Sequence, residues 1–146
     1  MSLFALDPGN NTGWAVFEDG SLLDAGVLPF GAVRQELRIY SGDSVLIEVP
    51  RHYPHREKGD VNDLLDLSLR AGELKAWAEG KTQKVELVWP RTWKGTAPKE
   101  IHNQRVLRAL KAFELKLLPK SPRAKKFDHN CVDAVGLGLW KLGRLR

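Results

Sequence analysis

The sequence predicts an α/β fold in which a five-stranded mixed sheet, built from a three-strand antiparallel meander and two parallel strands, is flanked by helices. Three observations predict it. Three short apolar segments at the start are joined by tight turns, one of them the hairpin-forming Asp-Gly pair at 19–20. Two later apolar segments, 43–50 and 84–90, alternate with helical patterns. The chain of 146 residues is also long enough to bury one sizeable core.

The predicted strands are separated by recognisable turn signals. Residues 2–7, 12–18 and 21–28 form the meander, with "DPGNN" and "EDGS" between them. The fourth strand, "DSVLIEVP", is apolar almost without interruption, which is typical of a strand covered on both faces. A right-handed crossover from the meander would place it parallel to the first strand. "KVELVWP" is the fifth strand.

Four helices are predicted around this sheet. A short one covers 31–40, and a long one covers 61–79, with its leucines recurring on one side. The third runs from Pro98, which is acceptable at a first helical position, to Phe113. The last follows Asp128, a candidate N-cap. No internal repeat is visible, so we expect a single domain over residues 1–146.

The composition restricts the function classes. Hydrophobic residues at 42% and charged residues at 28% exclude a largely disordered chain. The single Cys131 excludes an internal disulfide and a cysteine-rich zinc site. No run is long enough for a membrane span, and no signal peptide is recognisable, so we expect a cytoplasmic protein.

Charge is distributed unevenly along the chain. The first 50 residues hold two basic and seven acidic residues, whereas residues 101–146 hold eleven basic and three acidic residues. An acidic front and a basic back indicate a surface for a polyanion, although a solvated basic tail explains the same pattern.

Two acids interrupt strands that are otherwise apolar. Asp7 ends the first strand, and Glu48 lies among the aliphatic residues of the fourth. If these strands are parallel neighbours, both carboxylates meet at one edge of the sheet, where they repel each other unless a cation is bound. Mg²⁺ suits such a site, because it takes carboxylate oxygens and substrate phosphate oxygens. Either acid alone is explained equally well as an exposed strand end.

A third acidic site lies in "DHNCVDA". Asp133 is followed by an apolar helical series, so it is hard to assign to an ordinary surface position. His129 and Asn130 lie four and three residues before it and can share its face of the helix. Together with Asp128, these residues are candidates for further ligands of a metal site.

These motifs resemble the RuvC-type Holliday junction resolvases, including phage-encoded ones, of the ribonuclease H-like superfamily. The resemblance rests on "LDPGxxxTGWAV", "VLIEVP" and "HNxxDA", in that order. It also rests on "RAGELKAWA" and on "VWPRTWKGTAPKE", in which Pro90, Trp93, Lys94, Gly95 and Lys99 match the family's spacing. It covers nearly the whole chain.

The resemblance implies a metal site and a reaction. Asp7, Glu48 and Asp133 would be the ligands of two Mg²⁺ ions, with Mn²⁺ as a substitute, and the ions would promote phosphodiester hydrolysis. The family has an acid or a histidine at the position of Asn130. The fourth ligand therefore stays open among Asp128, His129 and Asn130, with Asp128 favoured because Mg²⁺ prefers charged oxygen.

The resemblance and the basic charge together suggest contacts with branched DNA. Tyr53, in the loop after Glu48, is the candidate for stacking on bases, and Trp93 is the tryptophan most expected to be exposed or at an interface. Trp77, Trp89 and Trp140 are expected in the core. The candidate DNA-binding residues are Arg51, Tyr53, Arg56, Trp93, Lys94, Lys99, Arg105, Arg123, Lys125 and Lys126.

The sequence therefore predicts a metal-dependent endonuclease that resolves four-way DNA junctions, acting as a homodimer in a bacterial or phage-infected cell. Three alternatives stay open. The first is a related nuclease acting on RNA–DNA hybrids or flaps. The second is a junction-binding protein without catalysis, which the departure at Asn130 keeps in view. The third is a nucleotide-binding ATPase suggested by "DPGNNTG", for which 146 residues provide no second domain.

Overall fold

The computed structural model describes residues 1–51, 60–120 and 126–145. Its five strands are β1 (Ser2–Asp7), β2 (Asn11–Glu18), β3 (Ser21–Pro29), β4 (Ser44–Glu48) and β5 (Lys84–Val88). They form one sheet in the order β3-β2-β1-β4-β5. β1 pairs antiparallel with β2 and parallel with β4, and β4 pairs parallel with β5. The predicted α/β fold is confirmed, with a three-strand antiparallel meander and two parallel strands in one mixed sheet.

Helices cover both faces of the sheet. They are α1 (Val33–Glu36), α2 (Val61–Glu79), α3 (Pro90–Lys94), α4 (Lys99–Ala109), α5 (Ala112–Leu115) and α6 (His129–Lys141), with a 3-10 turn at Phe30–Ala32. Because side chains alternate along a strand, Phe4 and Leu6 pack in the cluster under α1 and α2, whereas Ala5 packs in the cluster under α6. The two apolar clusters hold β1 and β4 rigidly between them. No helix of the described segments is long and apolar enough to cross a membrane.

Three helical predictions need correction. The helix expected at 31–40 is only one turn long, because Leu37 and Ile39 continue as extended chain and bury alternate side chains. The helix expected from Pro98 to Phe113 breaks at Leu110, where the backbone turns extended before α5. The segment after β5, for which no helix was predicted, contains α3. The long helix at 61–79 has the predicted bounds.

The topology brings two sheet ends and one helix together. Asp7 is the last residue of β1 and Glu48 the last of β4, and the parallel register aligns Leu6 with Ile47 just before them. α6 packs over β1 and β2, and Asp133 lies in its second turn. All three acids are therefore carried by elements that the core fixes in place.

Candidate active site

The structure brings Asp7, Glu48 and Asp133 together at the carboxyl end of the two central parallel strands. The carboxyl group of Asp7 lies within electrostatic reach of those of Glu48 and Asp133. Glu48 is buried, and the side chain of Asp133 is only 14% exposed. The site is thus a sunken cluster of three acids from separate stretches of the chain.

A glycine allows this close approach. Gly13 pairs with Asp7 across the β1–β2 ladder, and α6 passes directly over it. A Cβ atom on Gly13 would stand 1.8 Å from the backbone oxygen of Asn130 and 2.4 Å from its carbonyl carbon. Only a residue without a side chain lets the first turn of α6 lie against β2, and this contact sets how far Asp133 stands from the sheet.

Burial and mutual repulsion perturb both strand acids. Burial raises the pKa of Asp7 well above its usual range, and Glu48 and Asp133 raise that pKa further. Burial also raises the pKa of Glu48, against the opposing effects of Lys94 and of a hydrogen bond from Trp93. Buried carboxyls whose ionised forms are disfavoured in this way are stabilised by a nearby cation.

Lys94 supplies the cation that the cluster has in this structure. Its Nζ lies 3.4 Å from Oε2 of Glu48 and 3.3 Å from Oδ1 of Asp133. Burial by itself lowers the pKa of Lys94, but the three acids outweigh it and raise that pKa overall. Three carboxyl groups face one ammonium, so the cluster still has negative charge for a further cation.

The donor set fits Mg²⁺, which prefers carboxylate oxygens. Within the described ranges, no three His, Cys, Asp or Glu side chains are already arranged around one metal position. Lys94 stands between two of the three candidate ligands. Metal binding at this cluster therefore requires the lysine to move.

Trp93 corrects a prediction. It was expected to be exposed and to contact DNA, but it is only 5% exposed. Its indole Nε1–H donates a 2.6 Å hydrogen bond to Oε2 of Glu48, and its ring meets His102 edge-on at 4.8 Å. The helical turn of α3 causes the difference, because it rotates Trp93 inward. Trp93 therefore fixes the orientation of a site carboxylate.

A cleft of about 360 Å³ adjoins the acid cluster. Its lining is Pro90, Arg91, Lys94, Gly95, Ala97, Lys99, His102 and Asp133. Three of these side chains are basic, so the cleft can hold an anion next to the acids. Of the predicted DNA-binding residues, Lys94 and Lys99 line this cleft.

His102 was missed by the sequence analysis. It is only 3% exposed, and neither ring nitrogen has a hydrogen-bond partner among the described residues. Burial lowers the pKa of His102, and the cations Lys94 and Arg105 lower it further, whereas Asp133 has the opposite effect. His102 is therefore a buried histidine of lowered pKa in the wall of this cleft. The only sequence signal was its place one turn after Pro98, which is too weak to single it out.

The start of α6 holds the candidates for a fourth ligand. Asp128 is the N-cap, and its Oδ1 accepts a 2.9 Å hydrogen bond from the backbone N–H of Asn130. His129 is exposed, and Asn130 is half-buried with its backbone against Gly13. The capping function of Asp128 is thus established by contact, and its role as a metal ligand stays a prediction.

The other predicted DNA-binding residues are placed in part. Lys99 and Lys126 are exposed, and Arg105 is half-buried on α4. Arg51 is exposed and lies over the ring of Trp89, at 3.9 Å from the ring centroid. Trp89 was expected in the core and is 48% exposed, so that prediction was wrong. Tyr53, Arg56, Arg123 and Lys125 lie outside the described residues.

Fold and site together define an α/β protein with a buried acid cluster at the carboxyl ends of two central parallel strands. Among solved structures, the chain is similar to the Thermus thermophilus RuvC structure, with 17% sequence identity and a TM-score of 0.48. That alignment covers 100% of this chain and 99% of the other. No protein-family model and no curated protein matches the sequence.

Proposed function

We propose that the protein is a metal-dependent endonuclease that hydrolyses phosphodiester bonds in branched DNA, and in particular resolves four-way junctions. The observation that carries this proposal is the convergence of Asp7, Glu48 and Asp133 beside a basic cleft. Carboxylates that hold a divalent cation next to bound phosphate are the machinery of hydrolytic phosphoryl transfer.

The three acids are the proposed ligands of Mg²⁺, with Mn²⁺ as a substitute and two ions per site. Held by these residues, the metal would supply Lewis-acid activation of the attacking water and charge stabilisation for the 3′ oxygen that leaves as its bond to phosphorus breaks. Trp93 keeps Glu48 oriented through its 2.6 Å hydrogen bond. The packing of α6 on β1 and β2 keeps Asp133 facing the strand acids. Asp128, His129 or Asn130 completes the set.

The basic residues are proposed to bind the DNA backbone. Lys94 and Lys99 line the cleft beside the acids. Arg51 follows β4, Arg105 lies on α4 with Lys99, and Lys126 precedes α6. Tyr53, Arg56, Arg123 and Lys125 stay predicted contacts from the sequence. Such contacts position a substrate without reading its sequence, so binding should weaken steeply as salt concentration rises.

We extend the proposal to a homodimer, because a four-way junction offers two equivalent strands for cleavage. α2 presents a row of exposed apolar side chains at intervals of one helical turn: Val61, Leu65 and Leu69 are 51%, 55% and 69% exposed. An apolar row of this kind on a helix suits burial against the same helix of a second copy. We place the activity in the cytoplasm of a bacterial or phage-infected cell.

A cleavage assay on synthetic substrates tests this function. Four-way junctions, flaps, RNA–DNA hybrids and plain duplex are incubated with Mg²⁺, with Mn²⁺ or with a chelator, and the cut positions are mapped on each strand. We expect paired, symmetric cuts near the junction centre that require metal. We expect cleavage to be abolished and junction binding to be retained in each of Asp7→Asn, Glu48→Gln and Asp133→Asn. The control Glu73→Gln, at an exposed acid of α2, should keep both cleavage and binding.

Other outcomes separate the alternatives. If hybrids or flaps are cleaved in preference to junctions, the proposed substrate is wrong and the proposed metal-dependent hydrolysis still holds. Tight junction binding without a cut under any metal would leave a binding protein. ATP binding would favour the nucleotide-binding alternative.

A further inference from the structure

Lys94 stands in a place where a lysine has to be explained. It is the last residue of α3, and its ammonium is shared between Glu48 and Asp133 at 3.4 and 3.3 Å. Its side chain is 25% exposed, and the ammonium also lies 5.0 Å from the ring centroid of Trp93. The charge is therefore enclosed by acids and an aromatic face rather than presented outward to a partner.

The acid cluster needs this charge when no metal is bound. Buried carboxylates that lie together repel each other and lose hydration, and either effect alone destabilises the ionised form. The ammonium of Lys94 lies 3.4 Å from a carboxylate oxygen of Glu48 and 3.3 Å from one of Asp133, so it offsets their repulsion directly. The lysine and the acids thus stabilise one another in the metal-free protein.

A divalent cation and Lys94 need the same oxygens. Oε2 of Glu48 and Oδ1 of Asp133 are engaged by the ammonium. A metal ion beside an unmoved ammonium would be repelled by it at short range, where charge interactions in a protein reach several kcal/mol. Lys94 already lines the adjoining cleft, together with Lys99, so the cleft has space for the displaced ammonium.

We propose that Lys94 is an internal counter-ion that occupies the acid cluster without metal and is displaced by the metal into the adjoining cleft, where it binds a substrate phosphate. This inference rests on the proposed metal-dependent function. It makes metal and DNA binding mutually favourable, because a phosphate in the cleft stabilises the displaced lysine and so promotes metal binding. By linkage the metal raises the affinity for the phosphate by the same factor.

Metal binding without DNA tests this inference. Mn²⁺ is titrated calorimetrically into wild type, Lys94→Met and the control Lys81→Met, at an exposed lysine outside the cleft. Methionine keeps the length of the side chain and removes its charge. We expect Lys94→Met to bind Mn²⁺ about tenfold more tightly and to be less stable in chelator, whereas Lys81→Met matches wild type in both measurements. The cleavage rate of Lys94→Met should fall, because the phosphate contact is lost.

Equal or weaker Mn²⁺ binding by a folded Lys94→Met protein would overturn the inference while leaving the proposed nuclease intact. Absence of Mn²⁺ binding in wild type, together with absence of cleavage, would overturn the proposed function and this inference at once. Circular dichroism checks that each variant is folded.

A second observation carries a separate inference. The planar guanidinium of Arg51 lies 3.9 Å from the ring centroid of Trp89, and Trp89 is 48% exposed. The two residues follow the strand ends at the acid cluster, where the backbone N–H of Val49 donates a 2.9 Å hydrogen bond to the carbonyl of Val88. A large aromatic ring in water beside a catalytic edge has an apolar area left to cover.

We infer that Trp89 and Arg51 form a stacking platform for an unpaired nucleobase next to the cleaved phosphate. Aromatic rings and guanidinium planes both stack on bases, and only bases that are not already stacked in a duplex are available to them. The pair would therefore favour branched or single-stranded over fully paired DNA. This inference also rests on the proposed function.

Binding measurements on matched substrates test the platform. Trp89→Ala should weaken binding of a four-way junction and of a single-stranded oligonucleotide about 5- to 150-fold, with duplex affinity unchanged. Trp89→Phe should keep most of the wild-type affinity for these two substrates. Arg51→Lys keeps the charge but not the planar group, so its affinity should be as low as that of Arg51→Ala. Phe113→Ala removes another exposed aromatic, on α5, and serves as the control. A uniform loss on all substrates, or none, would overturn the platform. Wild-type protein that binds no DNA would overturn the function itself.

Discussion

The indole Nε1–H of Trp93 donates a 2.6 Å hydrogen bond to Oε2 of Glu48, the same oxygen that lies 3.4 Å from Nζ of Lys94. Two consecutive residues of a one-turn helix thus restrain one carboxylate, one through a neutral donor and one through a charge. If a metal displaces Lys94 as proposed above, the hydrogen bond from Trp93 would still orient Glu48.

The first prediction concerns this hydrogen bond. Trp93→Phe keeps an aromatic ring but removes the donor, so a buried carboxylate loses a partner and we expect a loss of about 2 kcal/mol in stability. Cleavage should fall about 10- to 100-fold, as is usual when a residue that orients a ligand is removed. Thermal unfolding and initial cleavage rates measure both effects. Trp77→Phe, in the opposite apolar cluster, should leave cleavage unchanged.

Asp7→Asn should stabilise the metal-free protein. Burial and two neighbouring acids make the charge of Asp7 unfavourable, so a neutral side chain of the same shape removes repulsion. We expect a gain of about 1 kcal/mol in chelator, or a melting temperature higher by about 3–5 °C. Added Mn²⁺ should raise the melting temperature of wild type and not that of the variant. A variant less stable than wild type in chelator would contradict the repulsion argued here.

Gly13→Ala should separate α6 from the sheet. The added methyl carbon would stand 1.8 Å from a backbone oxygen of Asn130, which cannot swing away as a flexible side chain can. We expect a loss of several kcal/mol, of the order found for overpacked cores, and loss of cleavage because Asp133 moves with α6. Gly31→Ala, where no atom lies within 4 Å of the added carbon, is the control and should be silent in both assays.

The exposed row on α2 gives a prediction about assembly. Leu69→Asp places a charge at a position that is 69% exposed, so the monomer should keep its stability. If α2 pairs with a second copy, sedimentation should show a dimer for wild type and a monomer for the variant. Leu23→Asp, at an exposed position of β3, should stay dimeric. A wild-type protein that sediments as a monomer at all concentrations would contradict the proposed dimer.

Local patterns were sufficient for the sheet and the long helices. The meander, the apolar fourth strand, the bounds of α2 and the Asp128 cap depend on neighbouring residues alone, so they can be read from the sequence. The inward position of Trp93 depends on the turn of α3 and on the hydrogen bond to Glu48, 45 residues earlier in the chain, and no periodicity marks it. Lys94 was predicted to contact DNA from its charge; its pairing with two distant acids could not be predicted.

The break between α4 and α5 has the same kind of cause. Glu114 is completely buried, and its two carboxylate oxygens accept hydrogen bonds from the backbone N–H groups of Leu22 and Lys111, at 2.6 and 2.9 Å. Arg144 donates to both oxygens, at 2.7 and 2.8 Å. Lys111 is a local partner, but Leu22 lies in β3 and Arg144 follows α6, so long-range contacts override the local helical pattern.

Glu114 gives the last prediction, on acid stability. The hydrogen bonds from Arg144 come first in lowering the pKa of Glu114 from 4.5 to about 2. Because the folded-state pKa lies below the unfolded value, the contribution of Glu114 is fully present above pH 4.5 and is lost as the pH falls towards about 2. A shift of this size corresponds to about 3 kcal/mol.

Glu114→Gln should therefore be less stable than wild type by about 3 kcal/mol near neutral pH, because it leaves the guanidinium of Arg144 without its charge partner. Denaturant unfolding at a series of pH values should show this difference shrinking below pH 4.5. A difference that stays constant down to the acid limit would show that the lost shape, and not the lost charge, destabilises the variant. Glu73→Gln, at an exposed acid of α2, should follow wild type throughout.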